Sequence, residues 1–160
     1  MPTPIVYAGQ ALRASIINDL IDPHVQAFSS FVVPAGAGTY TPVVFTGTLS
    51  GNEASMWSAV SPTRLVAPVA GVYMVHGGIA WPNALGTADA RGEIRPNSTG
   101  LASAGTRVGT QRGSAGNMQV TVSGTLVLAA NEYVELFLNT QSASPITATV
   151  SLGITRVSTT

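Results

Sequence analysis

Residues 118–139 read Met118-Gln-Val-Thr-Val-Ser-Gly-Thr-Leu-Val-Leu128, then Ala129-Ala-Asn131, then Glu132-Tyr-Val-Glu-Leu-Phe-Leu-Asn139. Val120, Val122, Leu126 and Leu128 occupy alternate positions, with Gln119, Thr121, Ser123 and Thr125 between them. Side chains of a strand alternate between its two faces, so this spacing predicts one apolar and one polar face. In the second run Val134, Leu136 and Leu138 share one side, and Tyr133, Glu135 and Phe137 the other. Each run predicts a half-buried strand with an apolar core side.

The same period extends outward in both directions from about residue 27. Strands are expected at Gln26–Val33, Thr41–Thr46, Thr63–Ala67, Gly71–Trp81, Arg91–Arg95, Thr106–Gln111, Met118–Leu128, Glu132–Asn139 and Ile146–Val157. The joints are rich in Gly, Pro, Asn and Ser, as at Pro34–Gly38, Ser50–Asn52, Pro96–Gly100 and Gly113–Gly116. Successive strands without intervening helices predict an all-β fold, an antiparallel sandwich or barrel. Gly71–Trp81 is apolar on both faces: Tyr73, Val75, Ile79 and Trp81 on one, Val72, Met74 and Ala80 on the other. Such a strand is either central in a thick core or covered by another subunit. Tyr133 and Phe137, opposite a good core face, raise the same question. Because aromatics are enriched at interface centres, Tyr73, Trp81, Tyr133 and Phe137 are the expected subunit-interface residues.

The N-terminal stretch differs. Pro2 and Pro4 favour extended chain. Between Gln10 and Ile21, Leu12, Ile16 and Leu20 fall at i, i+4 and i+8, with Ile17 and Ile21 widening the stripe, which predicts one helix. Asp22-Pro23 ends it. A helix of about three turns is marginal alone, so its stripe must dock on something. The expected organisation is an arm at 1–25 and a domain at 26–160.

Composition narrows the function. Only 9% of residues are charged, against about 25% in an average soluble domain. Formal net charge is zero, and all seven basic residues are Arg. This argues against a nucleic-acid partner, which needs a basic stripe facing phosphates. It also argues against a polybasic membrane anchor, and no apolar run approaches the ~18 residues of a spanning helix. The opening Met-Pro-Thr-Pro shows no secretory signal pattern, so cytoplasmic synthesis is expected. Without Lys there is no Schiff-base or P-loop chemistry, and without Cys there is no thiolate or Cys-based metal site.

Catalytic patterns are sparse. His24 and His76 stand far apart in sequence without a partner at metal-ligand spacing, and His76 reads as a packed or interfacial histidine. Glu132 and Glu135 differ by three, which on a strand turns them to opposite faces. Arg91, Glu93 and Arg95 share a face and are expected to form a solvated or interfacial ladder. No Asp-rich loop offers the several oxygens that calcium needs. The expectation is no enzyme, no metal and no cofactor. Trp57, before the turn at Ser61-Pro62, is the candidate for contact with a glycan.

Four segments carry a resemblance. Thr63-Arg-Leu-Val-Ala-Pro-Val-Ala-Gly-Val-Tyr-Met-Val75 with Trp81, Arg91–Asn97, Val122-Ser-Gly-Thr-Leu-Val-Leu128 with Asn131-Glu-Tyr-Val-Glu-Leu136, and Ile146–Val157 resemble, in order, C1q-like and TNF-like jelly rolls. Ser98 stands where that family often has Gly, and Asn131-Glu132 where it has Gly-Asp. The likeness covers roughly 27–157 and implies an antiparallel jelly-roll sandwich that forms homotrimers. Separately, Ile5-Val-Tyr-Ala-Gly-Gln-Ala-Leu-Arg-Ala-Ser-Ile-Ile-Asn18 is similar to the opening of small virion proteins of tailed bacteriophages, especially of actinobacterial hosts; Arg13 replaces their usual Thr. Together these imply a structural virion protein: a homotrimeric knob held to phage capsid or tail proteins by Leu12, Ile16, Ile17 and Leu20. The arm has no heptad or Gly-X-Y repeat, so a compact capsid-decorating knob is expected rather than a fibre shaft. The alternative is a tail or fibre-tip knob that binds host-surface carbohydrate or receptor.

Overall fold

The structure is a computed structural model, which describes residues 23–36, 39–51, 56–81, 89–97, 108–114 and 118–158. The expected helix at 10–21, with Leu12, Ile16, Ile17 and Leu20, lies outside the described residues.

Ten strands follow in order: β1 His24–Val33, β2 Thr41–Pro42, β3 Gly47–Gly51, β4 Arg64–Val66, β5 Gly71–Trp81, β6 Asp89–Pro96, β7 Val108–Ser114, β8 Met118–Leu128, β9 Tyr133–Thr140 and β10 Ile146–Ser158. The first sheet runs β3-β1-β10-β5-β8, and the second runs β2-β9-β6-β7 with β4 also paired to β9. The pairings are antiparallel. The chain therefore leaves each sheet and returns to the other repeatedly, which is the jelly-roll arrangement.

The period-two pattern dictates which residues face inward. Val25 and Ala27 of β1, Tyr73, Val75, Ile79 and Trp81 of β5, Val120 and Val122 of β8, and the even-numbered apolar positions 146–154 of β10 are buried in the first sheet. Ile94 of β6 and Val134, Leu136 and Leu138 of β9 meet them from the second. Gly92 allows the two layers to close here: a Cβ on it would run into Cδ1 of Ile79 and stand 3.4 Å from Cδ2 of Leu138. Gly92→Ala is therefore expected to overpack the core at a cost of about 1–3 kcal/mol, readable as a lower denaturant midpoint. An unchanged midpoint would mean that the tip of the Ile79 side chain turns aside at no cost.

The β8–β9 turn is fastened by side chains as well as backbone. Asn131 adopts a positive φ of 69°, which Asn tolerates better than most residues. The Glu132 carboxylate accepts the Ala129 N–H at 2.8 Å. Just after the turn, Asn97 holds the start of β9: it donates its N–H to the Tyr133 carbonyl at 2.8 Å, and its side-chain oxygen accepts the Tyr133 N–H at 2.9 Å.

Two differences from expectation concern strands. The expected strand at Thr41–Thr46 is only Thr41–Pro42, and a separate strand, β3, follows at Gly47–Gly51. Its Gly ends and Thr-Leu-Ser middle give no alternating apolar signal, so pairing with β1 is set by tertiary contact and not by propensity.

Candidate functional site

The outer faces of the two sheets differ sharply in charge. On the second sheet, the residues that alternate with the core set are Asp89, Arg91, Glu93 and Arg95 on β6, Tyr133, Glu135, Phe137 and Asn139 on β9, and Arg64 on β4. Register places them side by side: Arg95 opposite Glu135, Glu93 opposite Phe137, and Arg64 on the far side of Glu135.

These groups neutralise one another. Arg95 is forked onto Glu93, with its Nε and Nη2 both directed at Oε1. Its guanidinium carbon also lies 4.1 Å from the Phe137 ring centroid and 4.9 Å from that of Tyr40. Glu135 accepts the Thr63 hydroxyl at 2.6 Å and stands 3.5 Å from Arg64 Nε. Arg64 in turn covers the Tyr133 ring at 4.2 Å. Arg91 reaches Asp89 at 3.7 Å. The chain around Tyr40 lies across this face, because Asn139 donates its side-chain amide to the Thr39 carbonyl at 2.7 Å. Glu93 and Arg95 are consequently only 0% and 2% exposed. The expected solvated or interfacial ladder is instead an internal pair roofed by aromatic rings.

The outer face of the first sheet carries no Asp, Glu or Arg among the described residues. Its alternate positions are Gln26, Phe28, Ser30 and Val32 on β1, Thr147, Thr149, Ser151, Gly153 and Thr155 on β10, Val72, Met74, His76, Gly78 and Ala80 on β5, and Gln119, Thr121, Ser123, Thr125 and Val127 on β8. Arg156, the one charged residue of these strands, lies on the inward side at the sandwich end, with its Nε 2.6 Å from where a Cβ of Gly71 would be. Several large apolar side chains stand open on the face: Phe28, Val32, Leu49, Met74 and Val127, the last 68% exposed. Small residues at its centre leave a groove of about 370 Å³ floored by Gly78, Ala80 and Ser151, with Phe28 and Leu49 at its sides.

The residues expected at a subunit interface fall elsewhere. Tyr73 and Trp81 are buried in the single chain, at 0% and 2% exposure. Tyr73 further donates its hydroxyl to the Val69 carbonyl at 2.8 Å. Both side chains point between the sheets, so they offer no surface to another subunit, and their assignment is corrected to core. Phe137 lies on an outer face but is covered by Arg95, and Tyr133 stands beneath Arg64. Trp57 packs against the core edge and donates its indole N–H to the Pro62 carbonyl at 3.3 Å; it is a half-buried wall, not an open stacking platform.

The side of β5 that the single chain leaves partly open is the other one, Val72, Met74 and Ala80, which the sequence marks as apolar but which is not the side expected at an interface. One signal could have found it. The outward positions of β1, β5, β8 and β10 contain no charged residue, which is a stronger mark of a covered face than the presence of an aromatic.

The comparisons with known proteins agree with this architecture. No family model matches the chain, and no curated protein matches it in sequence. Among solved structures, the chain is similar to the globular domain of zebrafish complement 1qA protein, with 14% identity and a TM-score of 0.62 over 87% of this chain and 99% of that one. It is also similar to murine APRIL in structures at pH 5.0 and pH 8.5, with 12% and 10% identity and TM-scores of 0.60 and 0.61, over 85% of this chain and 99% of those. The fold is the antiparallel jelly roll of the C1q and TNF type.

Proposed function

We propose that this chain is a structural virion protein of a tailed bacteriophage, a homotrimeric jelly-roll knob that decorates the capsid and is held there by its arm at 1–25. The observation that carries the assembly is the outer face of the first sheet: five strands whose outward positions hold no charge among the described residues, with Phe28, Leu49, Met74 and Val127 standing open on it. Exposed apolar area costs roughly 25 cal/mol per Å², and charge is what normally keeps sheets from associating. Among the described residues, the outer-face charges are on the opposite sheet. A neutral, apolar face on a chain of zero net charge suits a second copy of itself better than a charged partner. The C1q-like and TNF-like resemblance implies that the copies number three.

The virion role rests on the resemblance at residues 5–18 and on the apolar stripe of Leu12, Ile16, Ile17 and Leu20, which needs a surface to dock on. Removing residues 1–22 leaves every described strand whole, since β1 begins at His24 and the Pro23 carbonyl still accepts the Arg156 N–H at 3.0 Å. The truncated chain is expected to fold and self-associate as before, yet to be absent from purified particles. Full incorporation of the truncated chain would overturn the arm as the attachment.

A further inference from the structure

Both histidines of the chain lie on the charge-free face. His24 opens β1, and His76 stands in the middle of β5. His76 shares a row with Ser123 of β8, Gly153 of β10 and Gln26 of β1. Its imidazole lies directly over Gly153: a Cβ there would collide with Cε1 and Nε2 of the ring. The missing side chain at Gly153 is thus the seat of the ring, which lies along the sheet instead of standing away from it.

We infer that self-association through this face is linked to protonation, with His76 as the group that senses pH. The inference rests on the assembly reading above and adds its regulation. The neighbours of the ring are neutral from every element. β8 presents Thr121, Ser123 and Thr125; β10 presents Ser151, Gly153 and Thr155; β1 presents Gln26; β5 itself presents Met74 and Gly78. The other titratable group on the face is His24, which is in register with Thr155, one row away and two strands across. Arg156 is on the inward side, and no carboxylate among the described residues is on this face.

A neutral imidazole enters a covered neutral face without an electrostatic penalty. An imidazolium there has no carboxylate to meet and loses its water, which is costly. The sign follows: association favours the form with fewer protons, so it weakens as pH falls and the imidazole takes up a proton. Where each of three copies takes up one proton on separating, a trimer's dissociation constant rises up to about a thousandfold per pH unit.

The test is sedimentation velocity on the full chain at micromolar concentration, from about pH 8 to about pH 5, with circular dichroism at each step. The unsubstituted chain is expected to be associated at the upper end and dissociated at the lower, with its sheet signal intact. His76→Gln, and His76→Ala as a second variant, are expected to stay associated to lower pH than the unsubstituted chain, and His24→Gln, which alters the first residue of β1 at the end of the sheet, to shift the transition less. Association that persists equally across the range would overturn the proton linkage and leave the assembly standing. So would dissociation of both His76 variants at the same pH as the unsubstituted chain, or a loss of sheet signal at that pH. A chain that is single at every pH would instead remove the assembly reading, and the linkage with it.

Discussion

Arg95→Ala is expected to lower the stability of the domain by about 3–5 kcal/mol, among the largest losses available to a single substitution here. The reason is what it leaves behind. Glu93 is fully buried beside Arg95. Without the guanidinium, the buried Glu93 carboxylate loses the cation forked onto it, and the space between Tyr40 and Phe137 empties. Glu93→Ala removes the carboxylate from the buried guanidinium and is expected to cost a similar amount. Replacing both together by apolar residues of like volume should cost much less than the sum, because neither charge is then left alone. Urea unfolding of the singles and the pair reads all three values. A loss below about 1 kcal/mol for either single substitution would mean that the pair is solvated and not roofed over.

Ser151→Arg is expected to abolish self-association while leaving the fold unchanged. Ser151 sits at the middle of the charge-free face, in register with Phe28 on one side and Gly78 on the other. Its side chain points away from the core, so the longer residue displaces nothing between the sheets. Once a second copy covers the face, the new guanidinium has no carboxylate to pair with, and an unpaired buried charge costs about 3–5 kcal/mol. That corresponds to a loss of more than a hundredfold in affinity. Arg64→Ala is the matching control. Arg64 is a 45% exposed side chain on the opposite sheet, and its removal should leave the assembled mass unchanged. If Ser151→Arg associated as well as the unsubstituted chain, the first sheet's outer face would not be the contact.

The contrast between these two faces explains how far the sequence could be read. The bounds of Gly71–Trp81 and Met118–Leu128 are the same in sequence and structure, because alternation over eleven residues leaves one register that buries the apolar set. β3 was invisible because five residues of Gly, Thr, Leu and Ser carry no period. Which face of β5 is core could not be decided locally. Tyr73 and Trp81 on one side, and Val72, Met74 and Ala80 on the other, are both apolar, and only the second sheet, closing over the first set, separates them. The burial of Glu93 and Arg95 was also hidden: a charged alternation on a strand reads as solvated until Tyr40, distant in sequence, is seen lying over it.

The central claim is that the charge-free sheet is a contact between copies, and it stands or falls on the mass of the full chain in solution. Sedimentation equilibrium at neutral to mildly alkaline pH should return three times the 16.3 kDa chain mass. A single species of 16.3 kDa at micromolar concentration would contradict it.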